Sequence, residues 1–397
     1  MAAGERTATG ALGAARITRQ QAIDAARAAG REDLVVAAFT AWSEPTPWQA
    51  RPYGQVDRPV VDLLEVLLDR PGLAAETRVR LLDALVAELA GEDDPRVAAA
   101  GAEAVALARE LGDDHLLAFA LATGIKATHV DGATEDRQAL AVELDVLARR
   151  LDLPAFRWYA TYAVTGVVST GADLTGLRAR LAEGQELARR YRMREAEAIQ
   201  DFGEAMLAHV AGRLDEAERL YVAAAERLSR AGSVHADGFL AIALCTLRLT
   251  QGRIGEIEAP LRAMAEEYAD GRDALALALV ALGRRDEARA VRAELLPIRP
   301  DYFFTVFTTI RALAVVALGE VDEAPALIAR LTPLRDQLPG ALSATLALQP
   351  IAHTLGELHR LIGAEDAARA EFAHAEKVAL RWGAEHWAAA ARRATGR

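Results

Sequence analysis

Leu214, Ala217, Tyr221, Ala224 and Leu228 fall on one side of a 3.6-residue spiral, while Asp215, Glu216, Glu218, Arg219, Glu226 and Arg227 take the other side. That alternation predicts an amphipathic helix over 214–228, and the same register recurs through the second half of the chain. Gly212, Gly252, Gly283, Gly319 and Gly363 each mark a predicted turn between two helical stretches. Five residues later stand Ala217, Ile257, Ala288, Ala324 and Ala368. Nine residues later come Tyr221, Leu261, Arg292, Ile328 and Phe372, and twelve later Ala224, Met264, Leu295, Leu331 and Ala375. Steps of four and then three residues share a helix face, so each glycine precedes a helix with a buried stripe whose first member is small enough for close helix approach. Arg292 is the exception, expected to carry its charge out from the rim on its aliphatic stem.

The first half repeats more coarsely. Leu107-Ala108-Arg109, Leu147-Ala148-Arg149, Leu187-Ala188-Arg189 and Leu228-Ser229-Arg230 recur at 40, 40 and 41 residues, the length of a two-helix unit. Together the two patterns predict an all-α fold of stacked helix-turn-helix repeats. The offsets in the second half are similar to those of the second helix of a tetratricopeptide (TPR) repeat. The implied fold is a TPR-like α-solenoid, a right-handed superhelix with degenerate repeat lengths. Breaks are expected at 43–54 (SEPTPWQARPYG), 70–72, 92–95 and 297–300. No Gly/Ser linker divides the chain, which reads as a flexible tail over 1–15 followed by one elongated repeat domain over 16–397.

Composition supports helices over sheets. Hydrophobic residues make up 52% of the 397, largely Ala and Leu, against 5% aromatics. The net charge of −11 comes without a concentrated basic stretch, so direct nucleic-acid binding is not expected. All but two of the basic residues (Lys126 and Lys377) are arginine. With Cys245 as the only cysteine no intrachain disulfide can form. The first thirteen residues lack the pattern of a signal peptide, and no apolar run is long enough to span a bilayer. A cytoplasmic protein without membrane association is the expectation.

Several blocks in order resemble a known family. They are 48–57 (WQARPYGQVD), 60–68 (VVDLLEVLL), 78–89 (RVRLLDALVAEL), 102–113 (AEAVALARELGD), 297–302 (PIRPDY) and 383–388 (GAEHWA). In this order they look like the C-terminal helical region of large SARP/BTAD-type and related ATPase-containing transcriptional regulators of actinobacteria, a likeness running from about Arg16 onward. In that family the helical array follows a DNA-binding winged helix and a nucleotide-binding module. The resemblance implies a sensor or protein-contact role for this array, either as the C-terminal part of such a regulator or as a stand-alone relative. Without a Gly-Lys dipeptide the chain carries no P-loop, and the resemblance transfers no site residues.

Enzyme chemistry finds no foothold: HExxH, CxxC and GxSxG are all missing, and no catalytic residue, metal ligand or cofactor is assigned. His353 and His359 stand six apart, on roughly opposite faces of a helix, which is wrong for a shared metal. The stretch 166–171 (GVVSTG) reads as a helix end and turn, and Cys245 as a buried small hydrophobe. Binding candidates come from aromatic and arginine clusters, the favoured anchors of recognition surfaces. The first is Arg157, Trp158 and Tyr162, the second Tyr302, Phe303, Phe307 and Arg311, and the third Gln349 with His353 beside Pro350. Each has a plainer reading as core packing, since Trp158/Tyr162 and Phe303/Phe307 sit one turn apart on a common face.

The expected function is therefore a non-enzymatic regulatory or sensor module, whose inner groove binds a partner protein, a peptide or a small effector. A scaffold without sensing and an enzyme with a groove pocket are the alternatives.

Overall fold

A computed structural model describes residues 12–46, 48, 51–128, 134–294 and 296–396. Residues 1–11 of the expected tail, Gln49 and Ala50 of the 48–57 block, and Leu295 of the glycine register lie outside these. Among the described residues the chain forms twenty α-helices, a few short 3₁₀ turns and no strand. In chain order they are α1 (Leu12–Ala28), α2 (Glu32–Phe39), α3 (Arg58–Leu68), α4 (Ala75–Leu89) and α5 (Pro95–Leu111). Next come α6 (Asp114–Ala127), α7 (Thr134–Arg150), α8 (Pro154–Thr170), α9 (Leu174–Arg190) and α10 (Arg194–Val210). They are followed by α11 (Leu214–Arg230), α12 (Ala236–Gln251), α13 (Glu258–Glu267), α14 (Arg272–Ala281) and α15 (Arg285–Arg292). The last five are α16 (Phe304–Leu318), α17 (Ala324–Leu331), α18 (Ile351–Leu361), α19 (Glu365–Arg381) and α20 (Glu385–Ala394). Consecutive helices pack on one another, and so do next-but-one helices such as α4 with α6 and α14 with α16, as in a helical-repeat solenoid.

Local chemistry sets the helix ends. Asp57, Asp94 and Asp113 cap α3, α5 and α6 by accepting hydrogen bonds from the backbone N–H groups of Val60, Arg96 and both His115 and Leu116. Pro59 and Pro95 occupy first-turn positions that have no N–H to satisfy. Termination is more regular still. Backbone φ is positive at Gly112, Asp152, Ala172, Arg192, Gly212, Gly232 and Gly252, positions separated by twenty or forty residues. Each closes a helix in the left-handed conformation, and six of the helices so closed, α5 and α7 through α11, are 17 residues long. A helix plus a three-residue turn thus makes the half-unit of the forty-residue repeat read from the sequence.

The buried stripe of the glycine register is present apart from Ile328, which is half-buried. Ala217, Tyr221, Ala224 and Leu228 are fully buried, as are Ala288, Ala324, Leu331, Ala368, Phe372 and Ala375. The expected tail is shorter than read, because α1 starts at Leu12 and Ala15 is buried. Arg292 corrects the sequence reading. It does not reach solvent but is buried, donating from Nε to Asp273 Oδ1 at 2.7 Å and pairing with Glu323 at 3.0 Å and with Glu320. A carboxylate on α14 waits directly opposite, so the guanidinium is neutralised inside rather than at the rim.

By contact density the described residues form two compact units. One comprises the chain up to Val167 with Ala179–Ile199 and Glu226–Ala236; the other comprises Val168–Arg178, Gln200–Ala225 and the chain from Asp237 onward. In each, the first helices of the pairs are buried on nearly every face. On α4, Val79, Leu81, Leu82 and Ala84 to Leu89 are buried, and on α6 Leu116 with most of 118–127. The same holds for α16 and for the first half of α18. Second helices such as α11 bury one stripe only, so first helices form the inner layer of each unit. In the second unit the array returns on itself. The His209 ring of α10 meets Trp387 of α20 edge-on at 5.5 Å, although a strictly linear stack brings only neighbours together.

Candidate functional site

The first unit holds an open cleft of about 340 Å³ across the starts of successive first helices. Arg80 of α4, His115 and Phe119 of α6, and Leu153, Pro154, Ala155 and Phe156 at the head of α8 line it, with Ser43 and Glu44 from the segment after α2. The Arg80 guanidinium lies 5.4 Å from the Phe119 ring centroid and is also 3.3 Å from Glu76. Burial raises the Glu44 carboxyl above its ordinary range. The lining therefore joins aromatic and proline surface to one cation, one partly buried carboxyl and an exposed imidazole. Such a lining suits an amphipathic ligand with an apolar body and a polar end. No local spacing announces it: Arg80 and Phe119 come from different repeats, and Phe156 only adjoins the cluster of Arg157, Trp158 and Tyr162 read from the sequence.

The sequence candidates lie elsewhere. Trp158 and Tyr162 are buried and stacked at 5.5 Å with nearly parallel rings, and Tyr162 OH accepts from Trp48 Nε1 at 3.3 Å. Arg157 is partly exposed and pairs with Glu183 at 3.2 Å, a carboxylate shared with Arg149 and Arg180. Tyr302 and Phe303 are half-buried just before α16, and Phe307 is buried. The Phe303 ring packs edge-on against Phe307 at 6.2 Å and Phe239 at 5.2 Å. Arg311 donates from Nε to Asp273 Oδ2 at 2.7 Å and from Nη2 to the Leu296 carbonyl at 3.0 Å, so Asp273 is held between two guanidiniums.

The third pair does come together, on a residue the sequence reading missed. Gln349 Nε2 donates toward Glu357 Oε2 at 3.3 Å, and His353 Nε2 lies 3.9 Å from Glu357 Oε1. Pro350 caps α18, so the proline does open a helix there. Burial holds the His353 imidazole down to about 4 and pushes the Glu357 carboxyl up to about 7, which leaves a neutral ring beside a carboxyl that titrates near neutrality. The i,i+4 spacing of His353 and Glu357 was the available signal. Two further readings hold: α8 ends at Thr170, where 166–171 was read as a helix end, and Cys245 is fully buried with its thiol pushed up to about 12. Among the described residues no helix is long and apolar enough to cross a membrane. No family model and no curated protein sequence matches the chain.

Proposed function

We propose that this chain is a non-enzymatic binding module of a transcriptional regulator, in which occupancy of the helical array by an effector or partner is the regulatory input. The cleft carries the reading. It spans the first helices of three consecutive repeats, α4, α6 and α8, the layer on which solenoids present their recognition surface. Its volume lies at the lower end of small-molecule sites, and its lining pairs an aromatic floor with few charged groups. The regulatory assignment rests on the ordered sequence blocks described above. Trp158 and Tyr162 are buried on α8, one of the cleft's helices, and act as core there; in this reading the cleft is the binding face.

The test is thermal-shift screening of the whole chain against small amphipathic carboxylates and amines, alongside the Arg80→Ala variant. A ligand at one hundred times its Kd stabilises the folded state by about 2.7 kcal/mol, a readily measured shift. The expected result is a ligand that raises Tm in the unmodified chain and much less in Arg80→Ala, whose own Tm stays near the parent value because Arg80 is partly exposed. Ligands acting equally on both proteins, or none acting at all, refute the cleft as the site.

A further inference from the structure

One side of the cleft belongs to a segment whose remainder does something else. Residues 40–57 join α2 to α3, and those of them that are described have no regular secondary structure, which is long for a connection inside a compact unit. Such a loop ordinarily lies on the surface. Here Trp42, Thr46, Trp48 and Arg51 are all buried. Their partners are spread over the first unit. Trp48 Nε1 donates to Tyr162 OH on α8, and the indole meets His235 edge-on at 6.1 Å. Thr46 Oγ1 accepts from Lys126 Nζ at the end of α6 at 3.1 Å. Arg51 Nη2 donates to the Ala90 carbonyl just past α4 at 3.0 Å and pairs with Glu92 at 3.1 Å. The segment thus reaches three first helices, the C-terminal ends of α6 and α4 and the middle of α8, and is bound through side chains, as a peptide would be in the groove of a repeat array. Pro45 and Pro52 restrict the backbone and lower the entropy lost on seating it.

We propose that the segment carrying Thr46, Trp48 and Arg51 is an intramolecular occupant of a peptide-binding channel in the first unit. The partner taken in trans is a proline-containing peptide with a tryptophan and, three residues on, an arginine. The recognition chemistry is on the page. Tyr162 and His235 receive the indole, Glu92 with the Ala90 carbonyl receives the guanidinium, and Lys126 receives a hydroxyl. This rests on the binding-module reading and narrows the partner class. It also links the two sites, because Ser43 and Glu44 line the cleft and lie immediately before the strap.

The probe is a labelled synthetic peptide with the sequence of residues 45–55 of this chain, followed by fluorescence anisotropy. A tethered segment competes at an effective concentration in the millimolar range, so the unmodified chain binds the peptide poorly. Weakening the strap with Trp48→Ala and Arg51→Ala together is expected to raise peptide affinity on the order of tenfold or more. Long flexible insertions on both sides, between Glu44 and Pro45 and between Gly54 and Gln55, keep every strap side chain and dilute the strap; they are expected to raise affinity severalfold, and they decide the matter if the double variant fails to fold. A peptide lacking the tryptophan and arginine should bind neither variant. The proposal is overturned if no folded variant, judged by helical circular dichroism and cooperative melting, binds the peptide more tightly than the parent. It is equally overturned if the control peptide binds as well. Peptide failure alongside a retained, Arg80-dependent cleft ligand refutes the strap inference alone, whereas failure of both refutes the binding-module reading.

Discussion

Replacing Asp273 with asparagine removes a charge from a buried ion network of the second unit. The carboxylate is 2% exposed and takes a 2.7 Å hydrogen bond from Arg292 on one oxygen and another of 2.7 Å from Arg311 on the other. Two hydrogen bonds to a charged group are each worth about 1.5–3 kcal/mol net. Breaking a buried pair from one side typically costs about 3–5 kcal/mol, because the remaining charge stays desolvated. Arg292 keeps Glu320 and Glu323, and Arg311 keeps the Leu296 carbonyl, which moderates the loss. The expected cost is about 3 kcal/mol, read from urea titration followed by circular dichroism and tryptophan fluorescence with an unchanged m-value. A double-mutant cycle with Arg311→Met should show a coupling of about 1–3 kcal/mol. A loss under about 1 kcal/mol with no coupling would mean that the network is hydrated and contributes little.

Two further perturbations test the turns and the interior. Gly212 and Gly252 both have positive φ, but a Cβ at Gly212 lies 3.1 Å from His386 Nδ1, whereas one at Gly252 meets nothing within 4 Å. Each alanine substitution costs about 1 kcal/mol in backbone strain, and Gly212→Ala should cost roughly a further 1 kcal/mol by denaturant titration; equal costs would show that the α20 contact yields freely. His209 is fully buried, its Nε2 lies 2.9 Å from Thr250 Oγ1, and burial holds its imidazole down to about 3. Between that value and the unfolded value near 6.5 the unfolded chain alone takes the proton, so stability falls as pH falls through this window, by about 1.4 kcal/mol per unit. Glu195, pushed up to about 7 by burial, acts in the opposite sense between 4.5 and 7, where only the folded state holds the proton. The two trends offset in the parent chain over 4.5–6.5. His209→Gln removes one of them, so the stability of the variant relative to the parent should rise by about 2 kcal/mol from pH 7 to pH 5; a pH-independent gap rules out the buried neutral imidazole.

The helical-repeat architecture was legible because a single helix suffices to display its period. Asp and Pro at 57–59 and 94–95, glycines at the turns and the 3.6-residue stripe act over a few residues, and the structure carries each of them out. The glycine rule was incomplete in one respect: Asp152, Ala172 and Arg192 adopt the same left-handed turn without being glycine, held there by the helices on either side. The binding residues were harder to see. A stripe of aromatics at helical spacing looks the same whether it faces a groove or another helix, and Trp158, Tyr162 and Phe307 face inward.

Periodicity, composition and turn chemistry determined by themselves that this chain is built of paired helices with small residues at their contacts, because those signals are local and additive along the chain. Only tertiary structure decided what each buried face meets. It placed Trp48 against Tyr162, 114 residues away, set a carboxylate between Arg292 and Arg311, and brought α20 back to α10. The physical reason is that partner choice depends on distances between elements far apart in sequence, set by the accumulated small rotations of many helix pairs rather than by the spacing of residues within one.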